Sequence, residues 1–380
     1  MIRHLYVHVP YCVKKCPYCD FFSVDDDHRR PEFLDALARE FPAALDRLGF
    51  ALPVEVDTIY LGGGTPTHLP PGDVERLGRI IRENVRPAPG CEWTVEANPE
   101  SATPAQLARF REMGVTRVSL GVQSFNAGEL ALLGRAHSAE DVAAAAAAIR
   151  SLDFASWSLD IIFGVAGQSL QTWRRTVRRA LDLGPPHISA YALMIEPGSR
   201  FASDACPEAY CAPDEVAAAQ YRWLMDELAR AGYEHYEVSN YARPGHRSRH
   251  NEAYWLRRPY LGLGPSAHSF DGERRWWNVR SIDGYLDRLG AGELPIAGSE
   301  VLAPDEVAEE TVMLALRRAE GLRWSDIPLG RRARLRTGLA QLSEAGLIVA
   351  DERGIRLGIE GWSVADALVR RVLGLLVRAP

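Results

Sequence analysis

Leu5-Tyr6-Val7-His8-Val9-Pro10-Tyr11-Cys12-Val13-Lys14-Lys15-Cys16-Pro17-Tyr18-Cys19-Asp20-Phe21 sets three cysteines directly behind a short apolar run. Residues 5–9 carry the β-rich pattern of a strand, and the cysteines follow in the spacing C-x3-C-x2-C on one loop at its C-terminal end. Soft thiolates suit iron–sulfur clusters and zinc. Three of them on one loop can hold three corners of a [4Fe–4S] cube and leave the fourth iron open to an exchangeable ligand. Structural zinc usually demands four protein ligands in a closed tetrahedron. His4 or His8 would have to supply the fourth, yet His8 lies inside the strand-like run and no second Cys pair follows at zinc-ribbon spacing. The cluster is the better reading.

Outward from this loop, further strand candidates fall at 57–61, 93–97, 117–122, 158–163 and 188–193. Helix-like periodic stretches lie between them at 31–48, 73–84, 104–113, 139–152 and 170–183, and Gly or Pro punctuates most joins. Six strands alternating with helices argue for a parallel sheet with right-handed crossovers. An open barrel and a doubly wound sheet both fit. Either places the ligand site at the C-terminal strand ends. A helix at 213–230 leads into an aromatic segment, 232–278, that reads as loop-rich. Amphipathic helices at 305–318 and 330–344, then two short β runs around a turn at 351–354, suggest a winged-helix-like module ending in one more helix.

With 380 residues, 47% hydrophobic and 25% charged, the chain has ample material for a large soluble fold. Its net charge of −6 and the lack of a long basic run give no reason to expect nucleic acid, and the terminal module shows no basic recognition face. The N-terminus lacks a secretory signal and the Ala-rich run 143–148 is too short to span a bilayer. The expectation is a cytoplasmic protein with no membrane anchor, at most a transient visitor to a membrane surface. Cys91, Cys206 and Cys211 are scattered and read as buried or incidental thiols.

The motif at Cys12, Cys16 and Cys19 resembles that of the radical S-adenosylmethionine (SAM) superfamily, and the Tyr-x-His-x-Pro run before it resembles the HemN/HemW branch. The likeness continues through Gly62-Gly63-Gly64-Thr65-Pro66-Thr67, Glu96-Ala97-Asn98-Pro99, Ser119-Leu120-Gly121-Val122-Gln123-Ser124-Phe125 and Leu133-Gly134-Arg135-Ala136-His137. It resumes at Asp160-Ile161-Ile162-Phe163-Gly164 and Tyr191-Ala192-Leu193-Met194-Ile195-Glu196-Pro197-Gly198. It implies an α/β fold: a partial (β/α)6 radical SAM barrel with a small C-terminal winged-helix-like α+β domain. It also implies that the open iron binds SAM and that one electron from the cluster cleaves it to a 5′-deoxyadenosyl radical. The expected division is a barrel over 1–235, an aromatic connecting and heme-binding segment over 236–300 and a HemN-type domain over 301–380.

The Gly-rich loop has a rationale of its own, since glycine lets backbone approach a ligand closely. By family likeness, Gly63, Gly64 and Thr65 meet the methionine end of SAM, with Tyr6 nearby, while Tyr18 meets the adenine side through its backbone. Glu96, Gln123, Arg135 and Asp160 each end or follow an apolar run, the usual place of site residues in parallel α/β folds. A carboxylate there can accept from ribose hydroxyls or an amino group, and Arg135 suits a carboxylate. Ala192 is expected to line the adenine pocket.

Three features separate the branches. The oxidases of this branch carry a further Cys two positions after the third, where this chain has Phe21, and a substantial segment before the first strand, which is expected to be missing here. His250-Asn251-Glu252-Ala253-Tyr254-Trp255 matches the H-N-x-x-Y-W motif of the HemW heme chaperones. Imidazole is a common axial ligand for heme iron and aromatic rings suit a flat macrocycle, so His250, Tyr254 and Trp255 are candidate heme contacts. His268 is a second candidate ligand. The resemblance implies a chaperone holding a [4Fe–4S] cluster, SAM and heme, served by an electron donor and passing heme to a recipient hemoprotein such as a respiratory enzyme. An oxygen-independent coproporphyrinogen III oxidase, or a radical SAM enzyme with another substrate, stays open.

Overall fold

The computed structural model describes residues 1–377. The first half is a run of βα units: β1 (His4–Val9), α1 (Arg30–Arg47), β2 (Val54–Gly63), α2 (Pro71–Asn84), β3 (Val85–Ala97), α3 (Pro104–Met113), β4 (Arg117–Gln123), α4 (Ala127–Leu132), α5 (Ala139–Ser151), β5 (Ser156–Phe163), α6 (Leu170–Asp182) and β6 (His187–Ala192). Strands β1 to β6 lie side by side in chain order, every neighbouring pair parallel. Strands of such a sheet are buried on both faces and run apolar at their centres; Val7, Leu61, Val95, Leu120, Leu159 and Ile188 are fully buried. Thr103, Ser138 and Ser169 start α3, α5 and α6 as side-chain caps.

The sheet continues past both ends of the parallel core. After α7 (Asp214–Arg230), β7 (Glu234–Glu237) and β8 (Asn240–Ala242) extend it antiparallel beyond β6. After α8 (Arg249–Trp255), β9 (Tyr260–Leu263) joins β1 in parallel, and β10 (His268–Phe270), β11 (Arg274–Asn278) and, after α9 (Ile282–Gly290), β12 (Ile296–Val301) complete that edge. The order β12-β11-β10-β9-β1-β2-β3-β4-β5-β6-β8-β7 does not close β12 onto β7, so the barrel is partial. Segment 232–278, expected to be loop-rich, therefore carries five strands. None exceeds five residues, too short for alternation to register. Strand β3 also begins eight residues before its expected start, because Pro87, Pro89 and Gly90 disguise its first half.

Beyond lies α10 (Pro304–Leu316), β13 (Leu322–Arg323), α11 (Leu329–Glu344), β14 (Ile348–Ala350), β15 (Gly354–Leu357) and α12 (Ala365–Val377), with a separate antiparallel sheet in the order β13-β15-β14. One apolar core runs from the barrel into this module, taking in Leu316, Trp324 and Trp362. Among the described residues no helix is long and apolar enough to cross a membrane.

Candidate functional site

The cysteine loop leaves the C-terminal end of β1, and its base is clamped. Cys12 N–H donates to Val24 O (3.0 Å) and Val24 N–H donates to Pro10 O (2.8 Å). All three cysteines are half-buried. Burial pushes the Cys12 and Cys19 thiols up, Cys19 to about 11; a coordinated metal would deprotonate them outright. Among the described residues no three His, Cys, Asp or Glu side chains form a single-ion site. A cube needs no such convergence, because each thiolate takes a different iron.

Two of the thiols are tied together by a chain of polar contacts. Thr65 Oγ1 donates to Cys12 Sγ (3.5 Å), Asn98 Nδ2 donates to Thr65 Oγ1 (3.0 Å), Arg135 Nη2 donates to Asn98 Oδ1 (2.5 Å), and Arg135 Nη1 donates to Cys16 Sγ (3.6 Å). Arg135 also reaches Gly121 O (2.9 Å), while its Nε is buried without a partner among the described residues. Gly134 permits this approach: a Cβ there would lie 2.6 Å from Pro17 Cδ, in a residue with φ +68°. Asn98 stands inside a quoted motif but was not singled out, since nothing in its type distinguishes a link from a turn former.

The end of β2 forms the second wall. Gly64 N–H donates to Val9 O and Thr65 N–H to Tyr11 O, both at 2.8 Å, so the Gly-rich loop lies flat along the start of the cysteine loop. A Cβ on Gly64 would fall 2.6 Å from Tyr11 O, and one on Gly63 (φ +102°) 2.4 Å from the His8 ring. Both positions require glycine. Glu96 accepts from Tyr60 Oη (2.8 Å) and Gly63 N–H (3.1 Å), and burial lifts its carboxyl to about 7. Asp160, raised by burial, accepts from Ser119 Oγ (2.9 Å). Gln123 ends β4 at φ +64°, a conformation that side chains rarely take and that marks functional positions when surroundings enforce it. Tyr18 packs on the small apolar cluster of Leu133, Ile162, Val165 and Leu193. Ala192 is exposed at the end of β6.

A cavity of about 810 Å³ opens between these residues and the β9–β12 edge. Its walls include Tyr6, Gly63 and Glu96 on the barrel side, Phe21 and Phe22 from the cysteine loop, and Tyr254, Phe270 and Trp277 opposite. Phe21 is 64% exposed at this cavity. His250 and Tyr254 line it from α8; Trp255 does not. His250 is 1% exposed, with Nδ1 2.7 Å from Thr58 Oγ1 and Nε2 2.8 Å from Tyr254 Oη, and burial lowers its pKa to about 3. The imidazole is thus neutral with both nitrogens engaged. His8, weighed in the sequence only as a zinc ligand, is likewise buried and doubly bonded; sequence reasoning missed Glu40, which accepts from Gly264 N–H, Asn278 Nδ2 and Tyr285 Oη and so pins the turn before β10 to α1.

Comparison with known proteins accords with this geometry. The family model described as the radical SAM superfamily matches residues 6–180, and that of the HemN C-terminal domain matches 302–364. The chain is 38% identical to a heme chaperone HemW of Mycobacterium tuberculosis over 97% of its length and 94% of the relative's. It is 31% identical to the Bacillus subtilis heme chaperone HemW over 99% and 100%. The solved Escherichia coli coproporphyrinogen III oxidase HemN, a radical SAM enzyme, shares its fold with TM-score 0.83 at 24% identity, over 99% of this chain and 90% of that one.

Proposed function

Because this chain belongs to the HemW family of the radical SAM superfamily, we propose that it is a heme chaperone: it holds a [4Fe–4S] cluster on Cys12, Cys16 and Cys19, binds SAM beside it, and carries heme to a recipient hemoprotein. The observation that carries the reading is the 810 Å³ aromatic cavity abutting the cysteine loop. It offers a flat apolar ligand a chamber, and Phe21 lends it an apolar face where the oxidases of the branch have a further cysteine.

The residues present fit a cluster and SAM. Three half-buried thiols share one loop, two of them facing N–H or O–H donors, and the Gly-rich loop packs so closely on His8 and Tyr11 that neither Gly63 nor Gly64 has room for a Cβ, which brings its backbone up against the base of the cysteine loop. On this reading Gly63, Gly64 and Thr65 hold the methionine end of SAM with Tyr6, Glu96 and Asp160 take hydroxyl or amino donors, and Gln123, Ala192 and the Tyr18 backbone frame the adenosine. Arg135 serves the thiolate side as well as any carboxylate. When bound, such a cluster supplies one-electron reduction of SAM; the side chains named here bind, orient and exclude water. Residues 1–235 are assigned the cofactors, 236–300 most of the heme chamber, with His250 and Tyr254 forming its α8 wall, and 301–380 the domain that closes beside it.

An anaerobic heme titration of the cluster-reconstituted protein tests this, followed in the Soret region. Saturable, stoichiometric binding is expected, and Cys16→Ala is expected to lose the cluster's visible absorption. No heme binding with an intact cluster, together with protoporphyrinogen formed from coproporphyrinogen III, SAM and reductant, would instead establish the oxidase.

A further inference from the structure

We propose that His268 ligates the iron of the bound heme, on a platform built by β10, β11 and β12; this rests on the heme-carrier reading above. Three histidines line the cavity: His8, His250 and His268. Iron needs an imidazole nitrogen with an uncommitted lone pair. His8 spends Nδ1 on Tyr6 Oη (3.0 Å) and Nε2 on Phe22 O (2.7 Å). His250 spends both nitrogens on Thr58 and Tyr254, and ligation there would strand a buried hydroxyl. His268 is exposed, and among the described residues no hydrogen bond engages either of its ring nitrogens.

Its surroundings suit a planar ligand with acidic side groups. Residues opposite one another in antiparallel strands share a face. His268 pairs with Trp277 and Phe270 with Arg275, while on β12 Gly298 lies opposite Trp277 and Glu300 opposite Arg275. The His268 and Trp277 rings stack at 5.9 Å and 28°. A Cβ on Gly298 would sit 2.5 Å from the Trp277 ring, so this glycine lets the indole lie down over β12. Arg275 brings a guanidinium to the same face, where a carboxylate can exchange with its Glu300 and Glu310 partners. The ligand class is therefore an iron tetrapyrrole bearing carboxylates. The turn ahead of His268 is held rigidly: Gly264 N–H donates to Glu40 (2.8 Å), Ser266 N–H to Val279 O (2.9 Å) and Asn278 N–H to Ala267 O (2.9 Å). A ligand on a fixed support is the arrangement a binding site needs.

The test compares ferric heme binding by wild type, His268→Ala, His268→Gln and His250→Gln, each with its cluster reconstituted, using Soret titration and electron paramagnetic resonance. Both His268 variants are expected to weaken binding on the order of tenfold to a hundredfold and to lose the histidine-ligated signature. Added imidazole is expected to restore that signature in His268→Ala. Wild-type affinity and signature in both His268 variants, or their loss only in His250→Gln, overturns the assignment while leaving heme carriage intact. Absence of heme binding by the wild type overturns the carrier reading itself.

Discussion

Asn98 accepts from Arg135 through Oδ1 and donates to Thr65 through Nδ2, so one short side chain joins the Gly-rich loop to the arginine that faces Cys16. Asn98→Ala should leave a buried guanidinium short of an acceptor and cost about 1–3 kcal/mol, read as a lower urea midpoint. By misplacing Thr65 it should also weaken SAM binding by roughly tenfold or more, measured by equilibrium dialysis against the reconstituted protein; about 1.4 kcal/mol corresponds to a factor of ten. Arg135→Lys is expected to behave similarly, because an ammonium cannot serve Cys16, Asn98 and Gly121 together as the planar fork does. The cysteines and glycines were readable from spacing and residue type. Asn98 and His8 were not, because their roles depend on partners 33 and 14 residues away, which only the folded chain brings near.

At the scale of elements, α1 reaches across to the far sheet edge through one carboxylate. Burial holds Glu40 at about 7 despite three donors that favour its ionised form. The unfolded chain ionises this group near its ordinary value of about 4.5. Between those two values the folded state binds the extra proton, so the contribution of Glu40 to stability falls as pH rises through this window and stays low above it. Glu96 and Glu237, also lifted to about 7 by burial, act in the same direction. Urea unfolding of the cluster-free protein at pH 5.5 and 7.5 should show a smaller difference in Glu40→Gln than in wild type; an equal difference would falsify this account. Such a contact was invisible in the sequence, where Glu40 reads as one more charge on an amphipathic helix. The helices themselves were plain from period and from Gly and Pro at their joins: the expected stretch at 104–113 is α3 itself. The short strands β7 to β11 escaped notice because pairing, not local pattern, creates them.

Across the whole molecule, the C-terminal module meets the sheet edge through Glu310 on α10, which bridges Arg257 (2.5 Å) and Arg275, with all three side chains less than one-third exposed. Arg257 adopts φ +50° just past the end of α8, where Arg258 N–H donates back to Ala253 O (2.9 Å). Arg257 and Arg275 also lie over the Phe270 ring, at 5.2 and 5.5 Å. Glu310→Ala should leave two like charges close together at the cavity wall. It is expected to destabilise the protein by about 2 kcal/mol and to speed amide exchange in α10 more than in α3. Uniform exchange in the two helices would sink the idea that this contact docks the module. The module's helices and hairpin were expected from the sequence; its contact with the cavity was not, since it joins residues 35 and 53 positions apart in the chain.

The clamp at the base of the cysteine loop bears on how the protein is assembled. Small zinc modules remain unfolded until their metal arrives, because the metal supplies the closure. Here Cys12, Val24 and Pro10 close the loop with backbone hydrogen bonds, and none of Cys12, Cys16 and Cys19 belongs to the apolar core. On the proposed cluster assignment, folding therefore need not wait for the cluster, because backbone hydrogen bonds already close the loop that would receive it. Protein made without iron should show the same far-ultraviolet circular dichroism as the mature form, with added protease sensitivity confined to residues 12–23.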